Sequence, residues 1–294
     1  MERFIDAAPD VRLWVQDVGR ADASPVLLVM GANASGLTWP DALVESLARH
    51  HRVIRYDHRD TGRSTWAFDE HPYAIADLAD DALVVLDALG IERAHVVGMS
   101  MGGTLVQLLL LDESDRLLSA TLFATSALEG NDAAGAEREL PGPDPKLLAL
   151  WEHMAEPRDR DAEIKWRVDQ WRMLNGDALE FDANEFRRLE ERIIDHAGRH
   201  DNPAAHARAD QRGLDRGAEL THISTPTLVI EAPEDPINPP PHAEHIARSI
   251  PGSRLATIPG SGHALGTPML APLTDAILAH TASVDLQGVQ TSLS

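Results

Sequence analysis

The sequence has no cysteine among its 294 residues. Disulfide bonds, a cysteine nucleophile and thiolate metal sites are therefore excluded. Long apolar runs are missing too. No stretch approaches the roughly 20 residues of a membrane-spanning helix, and the first ten residues, MERFIDAAPD, lack the apolar segment of a signal peptide. We therefore expect a cytoplasmic protein that does not enter a membrane.

Positive charge is scarce in this chain. It carries 26 Lys and Arg against 47 Asp and Glu, a net charge of −21, which repels phosphate backbones and anionic lipid. We therefore expect neither nucleic acid nor a membrane surface as a partner. The hydrophobic fraction of 43% and the charged fraction of 25% are ordinary for a globular protein. The acidic surface permits either a monomer or a specific homodimer.

Short apolar runs that end in glycine or polar residues recur along the chain, and such runs are typical of strands buried on both faces. They cover residues 25–31, 52–57, 94–98, 118–124, 226–232 and 254–260. The segment DVRLWVQDVG, residues 10–19, alternates as a half-exposed antiparallel strand does. Helical patterns lie between these segments, over residues 39–49, 75–89, 101–111, 242–250 and 270–280. Strand–helix alternation predicts an α/β protein with a mostly parallel sheet and helices on both faces.

The alternation stops between residues 126 and 220. EGNDAAGAERELPGPDP, residues 129–145, has the composition of a loop, and amphipathic helical segments follow it. We interpret residues 126–220 as an inserted helical cap, residues 1–125 with 221–284 as the core, and residues 285–294 as a flexible tail. The large apolar side chains of the insertion either fill its own core or line a pocket beneath it. They are Trp151, Met154, Trp166, Trp171 and Met173.

The segment GMSMG, residues 98–102, places a serine between two glycines where a strand ends and a helix begins. A sharp turn there strains the backbone of Ser100 and lifts its hydroxyl clear of the sheet. The adjacent helix N-terminus favours an anion, so we expect the Met101 N–H to stabilise a developing oxyanion. This context predicts that Ser100 is a nucleophile.

A serine nucleophile needs a base, and the base needs an orienting acid. In this kind of site the acid and then the histidine follow the serine along the chain. Asp235 lies just after a buried strand, with Glu234 as the alternative carboxylate, and His263 follows the last strand in the small-residue segment PGSGHA. We therefore predict a triad of Ser100, Asp235 and His263.

A second oxyanion donor is expected from the loop after the LLVMG strand, which holds Gly31, Ala32 and Asn33. We choose the Ala32 N–H, because the preceding glycine permits a tight turn toward Ser100. The candidate substrate-binding residues come from this loop, the serine turn and the insertion. They are Gly31, Asn33, Met99, Trp151, Met154 and Trp171. The predicted chemistry needs neither a metal nor an organic cofactor.

The serine turn together with VMGAN, YDHRDTGRS, TPTLVIEAPEDP and PGSGHA resembles the α/β hydrolases that carry a helical cap. The resemblance implies an eight-stranded, mostly parallel sheet. It has one departure, Asp60, at a position where glycine is usual. VMGANASGLTWPD, VIRYDHRDTGRST, AHVVGMSMGGT and EERIIDHAG are also similar to the aclacinomycin methylesterases of anthracycline antibiotic pathways, which remove a methyl ester from a bulky aromatic polyketide.

These observations predict a serine carboxylic ester hydrolase that works through an acyl-enzyme on a small hydrophobic ester. The resemblance implies the methyl ester of an aromatic polyketide as substrate. A general aryl or alkyl esterase and a lactonase use the same triad and stay open as alternatives. A different class also stays open, a catalytically slow small-molecule receptor on the same fold.

Overall fold

The computed structural model of this protein describes residues 1–128 and 140–292. Its strands form an eight-stranded sheet in the order β1-β2-β4-β3-β5-β6-β7-β8. They are β1 (Glu2–Ala8), β2 (Val11–Val18), β3 (Pro25–Val29), β4 (Arg52–Tyr56), β5 (Ala94–Met99), β6 (Leu117–Phe123), β7 (Thr227–Glu231) and β8 (Arg254–Thr257). The helices are α1 (Asp41–Ala48), α2 (Asp77–Ala88), α3 (Met101–Asp112), α4 (Pro145–Trp151), α5 (Arg160–Asn175), α6 (Ala183–Ala197), α7 (Ala205–Arg208), α8 (His242–Ser249) and α9 (Thr267–Ser292).

The sheet is antiparallel only at one edge, where β1 pairs with β2 and β2 with β4. The other pairings are parallel, so the carboxyl ends of β3 to β8 meet at one rim. This confirms the predicted α/β hydrolase fold with its eight-stranded sheet. The sequence patterns do not predict β1, because Ile5 is its one buried residue while the apolar Phe4 is exposed.

Two apolar cores lie on the two faces of the sheet, because successive residues of a strand point in opposite directions. Leu27 and Val29 of β3 pack into one core with residues of α2, α3 and α8. Val26 and Leu28 pack into the other with residues of α1 and α9. Helices therefore cover both faces, and the strand ends at the rim stay free to build a site.

The insertion follows β6 and contributes α4 to α7 before β7 begins. Its helices enclose a third apolar cluster that includes Leu147, Ile164, Trp171 and Phe186. The Trp171 and Phe186 rings stack with centroids 5.4 Å apart. Most of the predicted loop over 129–145 lies outside the described residues, which resume at residue 140.

The C-terminal segment is helical where a flexible tail over residues 285–294 is predicted, since α9 continues to Ser292. The flexibility of this segment stays a prediction. Asp285 explains the difference, since its carboxylate accepts hydrogen bonds from His95 Nε2 at 3.1 Å and Ser24 Oγ at 3.3 Å. The start of this polar segment is thus bonded to the core through the Asp285 side chain. Residues 293 and 294 lie outside the described part.

Throughout residues 1–128 and 140–292, no helix combines the length and the apolar content that a membrane span requires.

The departure at Asp60 has a local explanation. Its backbone has φ 59°, in the left-handed region where glycine is favoured. Aspartate tolerates this region better than most residues, and here its carboxylate accepts hydrogen bonds from the N–H groups of Ala67 and Phe68. These bonds offset the strain that a glycine would avoid.

Candidate active site

Ser100 occupies the turn between β5 and α3 with φ 56° and ψ −127°. A non-glycine residue with these angles is strained, and the surrounding bonds hold it there. The Ser100 N–H donates to the Phe123 carbonyl at 3.1 Å, and the Ser100 carbonyl accepts from Thr125 Oγ1 at 2.8 Å. The predicted strand-to-helix turn is therefore present.

The two glycines of this turn are required by close approach. A Cβ on Gly98 would collide with the Gly102 carbonyl, and a Cβ on Gly102 would collide with the Val29 carbonyl. Any larger residue would separate α3 from the strands. The glycines thus allow the helix to begin directly beside the serine.

Asp235 and His263 form a buried pair, with 2.9 Å between Asp235 Oδ2 and His263 Nδ1. Asp235 Oδ1 accepts from the N–H groups of Ile237 at 2.8 Å and Asn238 at 3.2 Å. Burial alone would raise the pKa of Asp235. The imidazole and the two amides outweigh that effect and lower the pKa below its ordinary value.

The two candidate carboxylates lie in different surroundings. Asp235 is 1% exposed and contacts the imidazole, whereas Glu234 is exposed and its side chain lies beside Gly176. An ionised Asp235 accepts a hydrogen bond from the N–H at Nδ1 of His263. The lone pair of the neutral ring is then on Nε2.

Ser100 and His263 both line one cavity of about 420 Å³ at the rim of the sheet. The other predicted oxyanion and substrate-binding residues line the same cavity. They are Gly31, Ala32, Asn33, Met99, Met101, Trp151, Met154 and Trp171. Asp235 lies behind His263. The structure therefore brings the predicted residues together, while their individual roles stay predictions.

The loop after β3 passes directly beside the serine. A Cβ built on Gly31 would lie 3.0 Å from Ser100 Cβ. Ala32 follows Gly31 in this loop, and Met101 is the first residue of α3. Both backbone amides therefore belong to segments that adjoin the Ser100 hydroxyl, as an oxyanion site requires.

Several lining residues have no signal in the sequence patterns. Glu190 is one, and its carboxylate accepts from Trp171 Nε1 at 2.6 Å and from Arg167 at 3.1 Å. These buried charges fix one indole wall of the cavity. Others are Thr38, Trp66, Arg199, Asp201 and His206. Most of these residues come from the insertion, whose packing against the core is not encoded in a local motif.

The open end of the cavity is marked by its solvent-exposed lining residues, which include Arg199, Asp201 and Gln211. Here the Arg199 guanidinium lies 4.1 Å from the centroid of the Trp66 ring, a cation–π contact between insertion and core. A ligand would enter the cavity, or protrude from it, past the polar side chains at this open end.

A separate cluster could hold a metal ion. His51, His95 and Asp285 each place one potential ligand atom within 4.8 Å of the others. They already bond to protein groups, with Thr281 Oγ1 2.9 Å from His51 Nε2 and Ser119 Oγ 2.8 Å from His95 Nδ1. Burial lowers the pKa of His95 to about 4. His95 lies at the amino end of β5, at the opposite end of the strand from Ser100.

Fold and site together define a hydrolase of the α/β class. Residues 24–266 match the α/β hydrolase fold family, and the chain belongs to that family. It is 45% identical over 284 residues to the rhodomycin D methylesterase DauP of Streptomyces sp. (strain C5), covering 92% of this chain and 95% of that protein. The same values hold for the rhodomycin D methylesterase DnrP of Streptomyces peucetius.

Solved structures agree with this assignment. A hydrolase from Pseudomonas aeruginosa PA01 matches with a TM-score of 0.72 and 27% identity, covering 95% of this chain and 97% of that chain. The family match and the two methylesterases confirm the predicted family and the predicted reaction class of ester hydrolysis.

Proposed function

We propose that this protein hydrolyses carboxylic esters with Ser100 as nucleophile, His263 as base and Asp235 as the orienting acid. The observation that carries the proposal is the buried His263–Asp235 pair, 2.9 Å apart, whose imidazole faces the cavity of the strained Ser100. Asp235 selects the tautomer that can take a proton on Nε2 and stabilises the imidazolium that results.

The reaction follows from these groups. Ser100 Oγ attacks the ester carbonyl while His263 Nε2 takes its proton, and the Ala32 and Met101 N–H groups bind the oxyanion. His263 then gives the proton to the departing alcohol, which leaves an acyl-serine. Water loses a proton to the same ring as it attacks the acyl carbon. Collapse of that second intermediate releases the acid and restores Ser100.

We further propose the methyl ester of a bulky aromatic acid as the substrate. The cavity volume of about 420 Å³ and its Trp151, Met154 and Trp171 walls support a flat apolar ligand. The 45% identity to two rhodomycin D methylesterases supports the methyl ester. In this proposal residues 126–220 serve as the cap, and the protein acts in the cytoplasm.

Ser100→Ala tests the mechanism. We expect kcat for p-nitrophenyl butyrate to fall by about 10⁴-fold or more, with an unchanged far-UV spectrum and melting temperature. Comparable hydrolysis by wild type and variant would overturn the assignment of Ser100.

A substrate panel tests the specificity. We expect kcat/KM to be highest for methyl esters of polycyclic aromatic acids, compared with simple p-nitrophenyl esters and lactones. A preference for a lactone or a small ester would refute the substrate while leaving the triad intact. A single round of acylation without turnover would indicate a receptor.

A further inference from the structure

His206 of α7 connects the insertion to the loop that carries Ala32. The ring is buried, with 2% exposure. Its Nδ1 accepts the Asn33 N–H at 2.8 Å, and Asn33 Oδ1 accepts the backbone N–H of His206 at 3.2 Å. On its other side His206 Nε2 bonds to the Arg59 carbonyl at 2.9 Å. The insertion is therefore joined to this loop by a reciprocal pair of hydrogen bonds between His206 and Asn33.

These partners fix the tautomer of His206. The Arg59 carbonyl can only accept, so Nε2 carries the hydrogen and the lone pair on Nδ1 receives the Asn33 N–H. Burial, with a smaller contribution from His58, lowers the pKa of His206 to about 3. The ring therefore stays neutral and keeps its acceptor at neutral pH.

The Ala32–Asn33 peptide, whose N–H bonds to His206, is next to the Gly31–Ala32 peptide, whose N–H is proposed to bind the oxyanion. The Ala32 N–H belongs to the Gly31–Ala32 peptide, and the N–H that His206 holds belongs to the next peptide along the chain. Asn33 has φ 57°, a conformation that needs support from its surroundings. Fixing the Asn33 amide therefore limits how far the Ala32 amide can rotate.

The start of the same loop is held by the core. His58 Nε2 donates to the Met30 carbonyl at 2.9 Å, and the His58 and His206 rings lie edge to face with centroids 5.7 Å apart. Two buried histidines thus bracket residues 30–33, one from the core and one from the insertion. Of these two histidines, His206 is the one that bonds to Asn33, the residue after Ala32.

We propose that His206 is a positioning residue, which holds the Ala32 N–H in the direction that the tetrahedral intermediate requires. The proposal rests on the proposed function of Ser100 and Ala32. It gives the insertion a part in the chemical step besides shaping the cavity. A histidine that served only to fasten the insertion would affect folding stability and leave the chemical step unchanged.

Two substitutions separate these roles. The Oδ1 of His206→Asn can take the place of Nδ1 and accept the Asn33 N–H, whereas the amide of His206→Gln reaches the place of Nε2 and donates to the Arg59 carbonyl. We expect His206→Gln to lower kcat for p-nitrophenyl butyrate by roughly 10- to 100-fold with little change in KM. His206→Asn should lose much less.

An arylboronic acid provides a second readout, because it forms a tetrahedral adduct with a reactive serine and places an oxygen in the oxyanion site. Its affinity should fall in His206→Gln by the same factor as kcat/KM and recover in His206→Asn. His50→Gln, an exposed histidine near the amino end of the strands, is the matched control and should match wild type in both assays.

Failure of this proposal is distinct from failure of the proposed function. If His206→Gln keeps wild-type kcat and boronate affinity while Ser100→Ala is inactive, the positioning role is refuted and the triad stands. If Ser100→Ala stays active, the proposed function itself is wrong. Equal losses in His206→Gln and His206→Asn also refute the positioning role, because only one of them restores the acceptor.

Asn33→Gly keeps the test decisive should His206→Gln fail to fold. Glycine accepts the φ of 57° and keeps the backbone N–H, but it removes the Oδ1 that binds His206. We expect a partial loss of kcat with little change in KM. Wild-type kcat and boronate affinity in a folded Asn33→Gly variant would contradict a role of the His206–Asn33 bonds in the chemical step.

Discussion

Among the residues that the structure describes, two histidine–aspartate pairs have a fully buried carboxylate. The chemistry of the two pairs differs although their residue types are the same. His263 Nδ1 lies 2.9 Å from Asp235, and His196 Nε2 lies 2.7 Å from Asp57. The second pair also contacts a serine, since Ser35 Oγ donates a hydrogen bond to Asp57 at 2.5 Å. Residue types alone would assign two triads.

The order of the contacts separates the two pairs. In the Asp57 group the serine and the histidine both bond to the carboxylate, so the imidazole of His196 is bonded to Asp57 and not to the Ser35 hydroxyl. Asp57 also accepts the N–H groups of Gly36 and Arg63, and its acceptor positions are filled. This pair fastens α6 of the insertion to the core, whereas the Asp235 pair presents its imidazole to the cavity.

The largest expected difference between the pairs is in turnover. His263→Gln should lower kcat by about 10⁴-fold or more, because it removes the proton acceptor of Ser100. His196→Gln should leave the activity of the folded enzyme nearly unchanged and lower the free energy of unfolding by about 2 kcal/mol, the value of a hydrogen bond to a charged group. Steady-state kinetics and urea unfolding of both variants provide the measurement.

The reverse result would contradict the roles assigned to the two pairs. A His196→Gln variant that folds normally yet loses turnover would place the second pair in the reaction, and an active His263→Gln variant would remove the first pair from it.

The sequence predicts the first pair because local patterns carry it. Asp235 and His263 each follow a strand-forming run, and strand ends of a parallel sheet share one rim. The steric demands of the turn at Ser100 are local as well. The remaining choice between Glu234 and Asp235 needed coordinates, since adjacent residues of one loop point in different directions.

The second pair and the His206–Asn33 contact could not be predicted in this way. Their partners lie 139 and 173 residues apart, and each joins the core to the insertion. The helical periodicity of the insertion predicts helical segments but not which face of α6 meets the core. The four residues of α7 carry no such pattern. His206 stands in the segment NPAAHARAD, where no motif marks it.

The second expected difference concerns the free energy of unfolding at neutral pH. Asp57→Asn replaces one carboxylate oxygen with an NH₂ group, which cannot accept the hydrogen bonds that the neighbouring groups donate to Asp57. We therefore expect the free energy of unfolding to fall by about 3 kcal/mol. The surviving folded protein should still hydrolyse p-nitrophenyl butyrate. Urea unfolding at pH 7 measures the loss, and a value near zero would show that Asp57 does not hold the insertion in place.

The smallest expected effect is a change in how stability depends on pH at the first pair. The pKa of Asp235 lies below its ordinary 3.8 in the folded protein, so its ionised form stabilises the fold above about pH 4, and this contribution is lost as the pH falls through the lowered pKa. The free energy of unfolding of wild type should therefore exceed that of Asp235→Asn by more at pH 6 than near pH 3. Urea unfolding of both proteins at a series of pH values measures the gap. A gap that stays constant over this range would mean that the folded protein does not stabilise the ionised carboxylate, and the electrostatic basis for calling Asp235 the orienting acid would be lost.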